Sequence, residues 1–161
     1  MLMSIKSHKR LLLLFRFFLY AALVCYVANY RYNFVFVRGE SMKEMYQHRD
    51  VSVISYRYYK NSIPEIGDVI CAEPVESARR KLKVIRVIKR IMAEEGDEVE
   101  IAAGNLIINQ KTNTLFAKGK TPLNMNKIQL QKDQYFIIGD NRNISAFYII
   151  SKHQIIGKVL F

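Results

Sequence analysis

From Leu11 to Ala28 the chain reads LLLLFRFFLYAALVCYVA, an apolar run interrupted by a single charge at Arg16. As a helix these residues measure about 27 Å, roughly the hydrocarbon thickness of a bilayer. Arg16 lies near the N-terminal end, where its long side chain reaches the headgroups. Beyond residue 30 the pattern changes. NFVFV, DVSVISYRYY, GDVICAE, DEVEIAAGNLIINQ, QYFIIGD and QIIGKVLF are short and rich in β-branched and aromatic residues. Pro64 with Gly67, and Gly96 with Asp97, mark turns between them. No repeat or low-complexity linker divides the remainder. The pattern therefore predicts a mostly β protein: a basic segment over 1–10, a transmembrane anchor over 11–29, and a single small antiparallel β domain over 30–161.

One stretch fits two periods. In KVIRVIKRIM, residues 83–92, alternation places Ile85, Val87, Lys89 and Ile91 on one strand face, and Val84, Arg86, Ile88, Arg90 and Met92 on the other. A helix over 76–95 also works, with Leu82, Ile85, Ile88 and Met92 as its apolar stripe. Its place between two strands, and its β-branched content, favour the strand.

The formal net charge is +11, but the basic residues are dispersed among acidic ones, which argues against a nucleic-acid partner. Lys6, Lys9, Arg10 and Arg16 instead gather at the start of the apolar run and fit an anionic lipid bilayer. Their small excess over Arg31 and Arg38 predicts a cytoplasmic N-terminus, with the β domain exported across the cytoplasmic (inner) membrane. No A-x-A pattern follows the apolar run, so a retained anchor is expected rather than a cleaved signal. With two cysteines, Cys25 and Cys71, and three scattered histidines, no disulfide framework, metal site or cofactor is expected.

Candidate chemistry begins at Ser41, which follows a strand and Gly39 in VRGESMKEM. A serine in a turn ordinarily bonds local backbone, and it becomes a nucleophile only beside a base. None of the histidines sits in a triad-like pattern, whereas Lys89 lies on an apolar strand face. Lowering a lysine pKa from about 10.4 to about 7 costs its charged form roughly 4.6 kcal/mol, which burial can supply. The competing outcome is a lysine that snorkels to water along a strand edge.

GESM, then GDVI, VIKRIMAEEGDEV, YFIIGDNRNIS and a terminal IIGKV, in that order, resemble the type I signal peptidase family across nearly the whole β domain. The resemblance implies a membrane-anchored serine endopeptidase of signal-peptidase fold with a Ser/Lys dyad, Ser41 as nucleophile and Lys89 as general base. It further implies that Ser145 hydrogen-bonds the lysine and that Asp140 pairs with Arg90. Val35, Val37 and Ile88 would line shallow pockets for small side chains, giving cleavage of exported preproteins after an A-x-A-like sequence. The backbone N–H of Ser41 would help hold the oxyanion, and Gly39 stands where some members carry a hydroxyl-bearing residue.

The chain also departs from the family pattern. Glu44 replaces a proline, EEGD replaces LPGD, and Phe147, Tyr148 and Ile149 replace an acidic residue, a serine and an arginine, which removes an expected ion pair. The stretch between Gly96 and Gly139 is too short for a large extra subdomain. Processing peptidases of conjugative transfer, which act on a pilin precursor, are similarly short and divergent, and form an alternative within the enzyme class. A catalytically silent, membrane-tethered β module with a helical basic segment is the alternative outside it.

Overall fold

The computed structural model describes residues 2–74 and 86–160, with side chains from residue 9 onward. The chain forms two compact units, Met1–Asn33 and Phe34–Phe161.

The first unit is dominated by the helix α1, Leu2–Arg31, longer than the 11–29 expected. No glycine or proline interrupts it, and Arg31 in its last turn complements the partial negative charge of the helix end. Within it, Lys9–Arg31 is long and apolar enough to cross a membrane, and none of its apolar side chains is buried by protein.

The second unit is built from two antiparallel sheets. The larger runs in the order β1 (Tyr32–Phe36), β2 (Val51–Ser55), β11 (Ile155–Val159), β3 (Val69–Ala72), β4 (Val87–Ala93), β9 (Gln134–Ile138), β10 (Phe147–Ser151). The smaller runs β7 (Lys111–Thr112), β6 (Asn105–Ile108), β5 (Glu98–Ala102), β8 (Met125–Gln129). The mostly β, antiparallel architecture with one N-terminal apolar helix agrees with the sequence pattern. Ala103 and Gly104, both at positive φ, turn β5 into β6.

Three apolar clusters fill the unit. Met92, Val99, Ile101, Phe136 and Ile138 join the two sheets. Val37, Met42, Ile54 and Cys71 pack beneath the β1 side. Ile70, Ile91, Ile137 and Ile150 form the third, with Val87 against it.

Several expectations are corrected. The run 50–59 is a strand only through Ser55, after which Tyr58–Lys60 forms a single 3-10 turn. β7, β8 and β10 were not anticipated. β8 reads MNKIQ and is largely exposed, so it lacks the apolar alternation that advertises a half-buried strand. β4 excludes the helical reading over residues 87–93. The remainder of that alternative, and Val84 and Ile85 on the expected strand faces, lie outside the described residues.

Pairing of β4 fixes where its charges go. Ile70 stands opposite Lys89 and Val69 opposite Arg90. Successive side chains of a strand leave by opposite faces, so Lys89 shares the face of Val87 and Ile91, while Arg90 leaves by the other.

Candidate active site

Ser41 is carried by the segment that follows β1. Val37 closes the base of the loop, donating its N–H to Asp50 O at 2.9 Å and accepting from Arg49 N–H at 2.9 Å. Gly39, at φ +96°, reverses the chain just before Ser41, a conformation that glycine adopts without strain. A single helical turn follows, closed by Tyr46 N–H to Met42 O at 2.7 Å, and the Met42 side chain is buried. Ser41 itself stays partly exposed.

The turn after β9 grips this segment from the other side. Asn141 donates its N–H to Ser41 O at 3.0 Å and its side-chain amide to Glu40 O at 3.2 Å. Gly139 lies at the closest approach: a Cβ there would collide with the Ser41 carbonyl oxygen and stand 2.6 Å from Ser145 Oγ. Because backbone on one side cannot yield as a flexible side chain does, Gly139→Ala is expected to push the two turns apart. The cleavage activity that the sequence resemblance implies should fall about 10²-fold, as a misplacement on the ångström scale does. Turnover by purified Gly139→Ala, compared with wild type, checks this; undiminished turnover would show that the approach tolerates a methyl group.

Lys89 is 5% exposed, and its Nζ donates to Ser145 Oγ at 3.0 Å. Ser145 is held in turn, accepting from Gly139 N–H at 2.7 Å and donating to Ala146 O at 2.9 Å. The hydrogen bond of Lys89 is to Ser145 rather than to Ser41, although both Lys89 and Ser41 line one cleft. Burial lowers the Lys89 pKa from 10.5 to about 8; the Arg142 guanidinium reinforces the shift and Asp140 opposes it.

On the opposite face of β4, Arg90 meets Asp140 through two charge-assisted bonds, Nε to Oδ1 at 2.9 Å and Nη2 to Oδ2 at 2.6 Å. Its Nη1 donates to Gly67 O at 2.7 Å, and the Phe116 ring lies 4.2 Å from Cζ. One strand thus ties both faces to the same GDNR turn, by Lys89 to Ser145 and by Arg90 to Asp140.

Sequence reasoning missed Arg142. Its side chain is buried, and none of its three guanidinium nitrogens has a hydrogen-bond partner among the described residues. Burial lowers its pKa to about 10, with Asp140 opposing and Arg90 adding to the effect. The signal was present in GDNR, a second cation beside an acid already needed by the first.

The cleft has a volume of ≈ 640 Å³, and Val35, Val37 and Ile88 are among the residues that line it. Tyr148 lines it too and was not anticipated as a lining residue. The other departures from the family pattern have local partners. Phe147 stacks on Phe136 with ring centroids 5.5 Å apart, an apolar contact at the position of the missing acid. Glu44 reaches Lys118 at 3.0 Å. In EEGD, Asp97 Oδ2 accepts from Glu94 N–H at 3.0 Å, and Gly96 takes φ +88°, closing that turn without proline.

Comparison with known proteins places the chain in a peptidase class. The chain belongs to the family described as "Signal peptidase, peptidase S26", whose model matches residues 10–161. Among its relatives, a "Probable signal peptidase I-2" of Synechocystis is 30% identical over 121 residues, 74% of this chain and 54% of that protein. A "Signal peptidase IB" of Staphylococcus aureus is 26% identical over 148 residues, 78% of this chain and 74% of that protein. The chain thus spans about half the length of the Synechocystis relative. A crystal structure of a signal peptidase I from Enterococcus faecalis aligns with TM-score 0.44 and 20% identity, covering 62% of this chain and 98% of that one.

Proposed function

We propose that the protein is a membrane-anchored serine endopeptidase that cleaves signal peptides from exported preproteins after small residues, using Ser41 as nucleophile and Lys89 as general base. The observation that carries this reading is a lysine buried in the wall of the cleft that also holds Ser41, with a pKa lowered to about 8. A lysine so placed is partly neutral near physiological pH and has a lone pair to offer.

The substrate lies extended in the cleft, its small side chains directed at Val35, Val37 and Ile88, with Tyr148 further restricting its width. Lys89 Nζ moves from its ground-state bond with Ser145 toward the Ser41 hydroxyl and takes its proton as Oγ attacks the scissile carbonyl. The negative charge gathering on the carbonyl oxygen is met by the Ser41 N–H. Lys89 then returns the proton to the leaving amine; a water deprotonated by Lys89 Nζ attacks the acyl carbonyl, and Lys89 gives that proton back to Ser41 Oγ as the ester bond breaks. Ser145 orients Lys89 before the attack, while Arg90 and Asp140 hold the turn that carries Ser145. No cofactor is required.

The apolar part of α1 anchors the protein in the lipid bilayer, with the basic N-terminus cytoplasmic and the β domain on the exported side. A second reading, maturation of a pilin precursor, is favoured by Tyr148, which occupies the cleft wall where the family pattern has serine. Purified full-length protein in detergent, given a secretory preprotein and a pilin precursor in parallel, tests both. Preferential release of the mature preprotein supports the first reading, exclusive cleavage of the pilin precursor the second, and cleavage of neither leaves the silent module.

A further inference from the structure

We propose that His48 is a positioning residue for the turn that presents Ser41, acting through its imidazole Nδ1; this rests on Ser41 being the nucleophile. The loop between β1 and β2 starts as a two-stranded ladder. Val37 donates to Asp50 O and accepts from Arg49 N–H, each at 2.9 Å. By strand alternation the next inward donor is the Gly39 N–H, and here the ladder changes chemistry. Its acceptor is His48 Nδ1, at 3.1 Å, and not a main-chain carbonyl. The imidazole therefore forms the last rung before the chain turns, at φ +96°, into Glu40 and Ser41.

This rung has two properties that a carbonyl lacks. It holds Gly39 by a side chain alone, so substitution at position 48 can remove it without altering the backbone. It also exists only while Nδ1 carries a lone pair, which fixes the tautomer with its proton on Nε2. The charged groups on the segments that meet here are Arg38, Glu40, Lys43, Arg49 and Asp50. Glu40 is paired with Lys43 at 3.4 Å, and Asp50 accepts from Gln47 N–H at 2.6 Å. His48 and Gly39 are both exposed, so water replaces a broken rung at little cost to folding, while the turn bearing Ser41 gains freedom.

Two substitutions isolate the lone pair. In His48→Asn the amide Oδ1 occupies the place of Nδ1 and accepts at every pH; in His48→Leu a methyl group stands there and accepts nothing. Steady-state cleavage of a preprotein by full-length protein in detergent, from pH 5.5 to 9, is the assay. His48→Leu is expected to lose about five- to tenfold in kcat, the worth of one hydrogen bond, with KM and thermal midpoint nearly unchanged. His48→Asn, which keeps an acceptor at the same place, is expected to match wild type in kcat and KM. Wild-type kcat in His48→Leu across the range, or equal losses in both variants, would overturn the proposal.

Nitrogen NMR of 15N-histidine-labelled protein, with His48 assigned by its absence in His48→Asn, reads the tautomer without reference to activity. A proton on Nε2 at neutral pH supports the rung, and a proton on Nδ1 overturns it. If wild-type cleavage does not depend on Ser41, the peptidase reading falls, and with it the catalytic part of this one. The tautomer then decides the rung by itself.

Discussion

Replacing Lys89 with methionine is expected to abolish preprotein cleavage, by about 10⁴-fold or more, while making the protein more stable at neutral pH. The two effects share one cause. Lys89 is 5% exposed and burial lowers its pKa from 10.5 to about 8, so the folded state binds the proton less tightly than the unfolded chain. Below pH 8 the lysine is charged in both states and the full penalty for burying it, about 3 kcal/mol, opposes folding. Between about pH 8 and 10.5 the unfolded chain holds more protons, stability rises with pH, and the penalty disappears. Methionine keeps the length of the side chain and removes both charge and base. Ser145 still has Gly139 N–H and Ala146 O as partners, so little is left unpaired.

Wild-type activity is expected to climb about tenfold per pH unit toward pH 8 and then level off, since with Lys89 as the proposed base only its neutral amine accepts a proton. Ser41→Ala should be equally inactive without the gain in stability. Initial rates and denaturant unfolding of the three proteins in detergent provide the comparison. A Lys89→Met protein that cleaves at the wild-type rate would end the assignment of Lys89 as base, and one that is inactive but much less stable would mark it as a structural residue.

The second large effect is expected at Asp140. Asp140→Ala leaves the Arg90 guanidinium buried with its carboxylate gone and, among the described residues, only the Gly67 carbonyl and the Met45 sulfur as acceptors. Leaving one member of a buried ion pair uncompensated costs about 3–5 kcal/mol, far more than an exposed pair contributes. Arg90→Met combined with Asp140→Leu should recover most of that loss, because the cost lies in the unpaired charge rather than in the missing attraction. Asp140 also favours the charged form of Lys89, so any activity that survives Asp140→Ala should have its pH midpoint below 8. Denaturant unfolding measures the stabilities, and a loss below about 1 kcal/mol in Asp140→Ala would mean that water already compensates Arg90.

What was readable along the chain was what repeats locally. An eighteen-residue run, apolar but for Arg16, announces a helix long enough for a bilayer, and alternation in VIKRIM sends Lys89 and Arg90 to opposite faces whatever they meet there. Both follow from periods of a few residues. β8 escaped notice because its two apolar residues, Met125 and Ile128, stand three apart and make no alternation, and Arg142 because its one signal, a second cation beside Asp140 in GDNR, does not indicate burial. The partners of the two charges were beyond local pattern. Ser145 stands 56 residues from Lys89, and Asp140 stands 50 from Arg90. They are brought together by the pairing of β4 with β9 and by the close approach of Gly139 to Ser41. The same holds for the Lys89 pKa, since desolvation is a property of the atoms packed around the amine and these come from strands far apart in sequence. Alternation along β4 assigns each charge a direction; long-range strand register and burial determine what it meets and whether it keeps its proton.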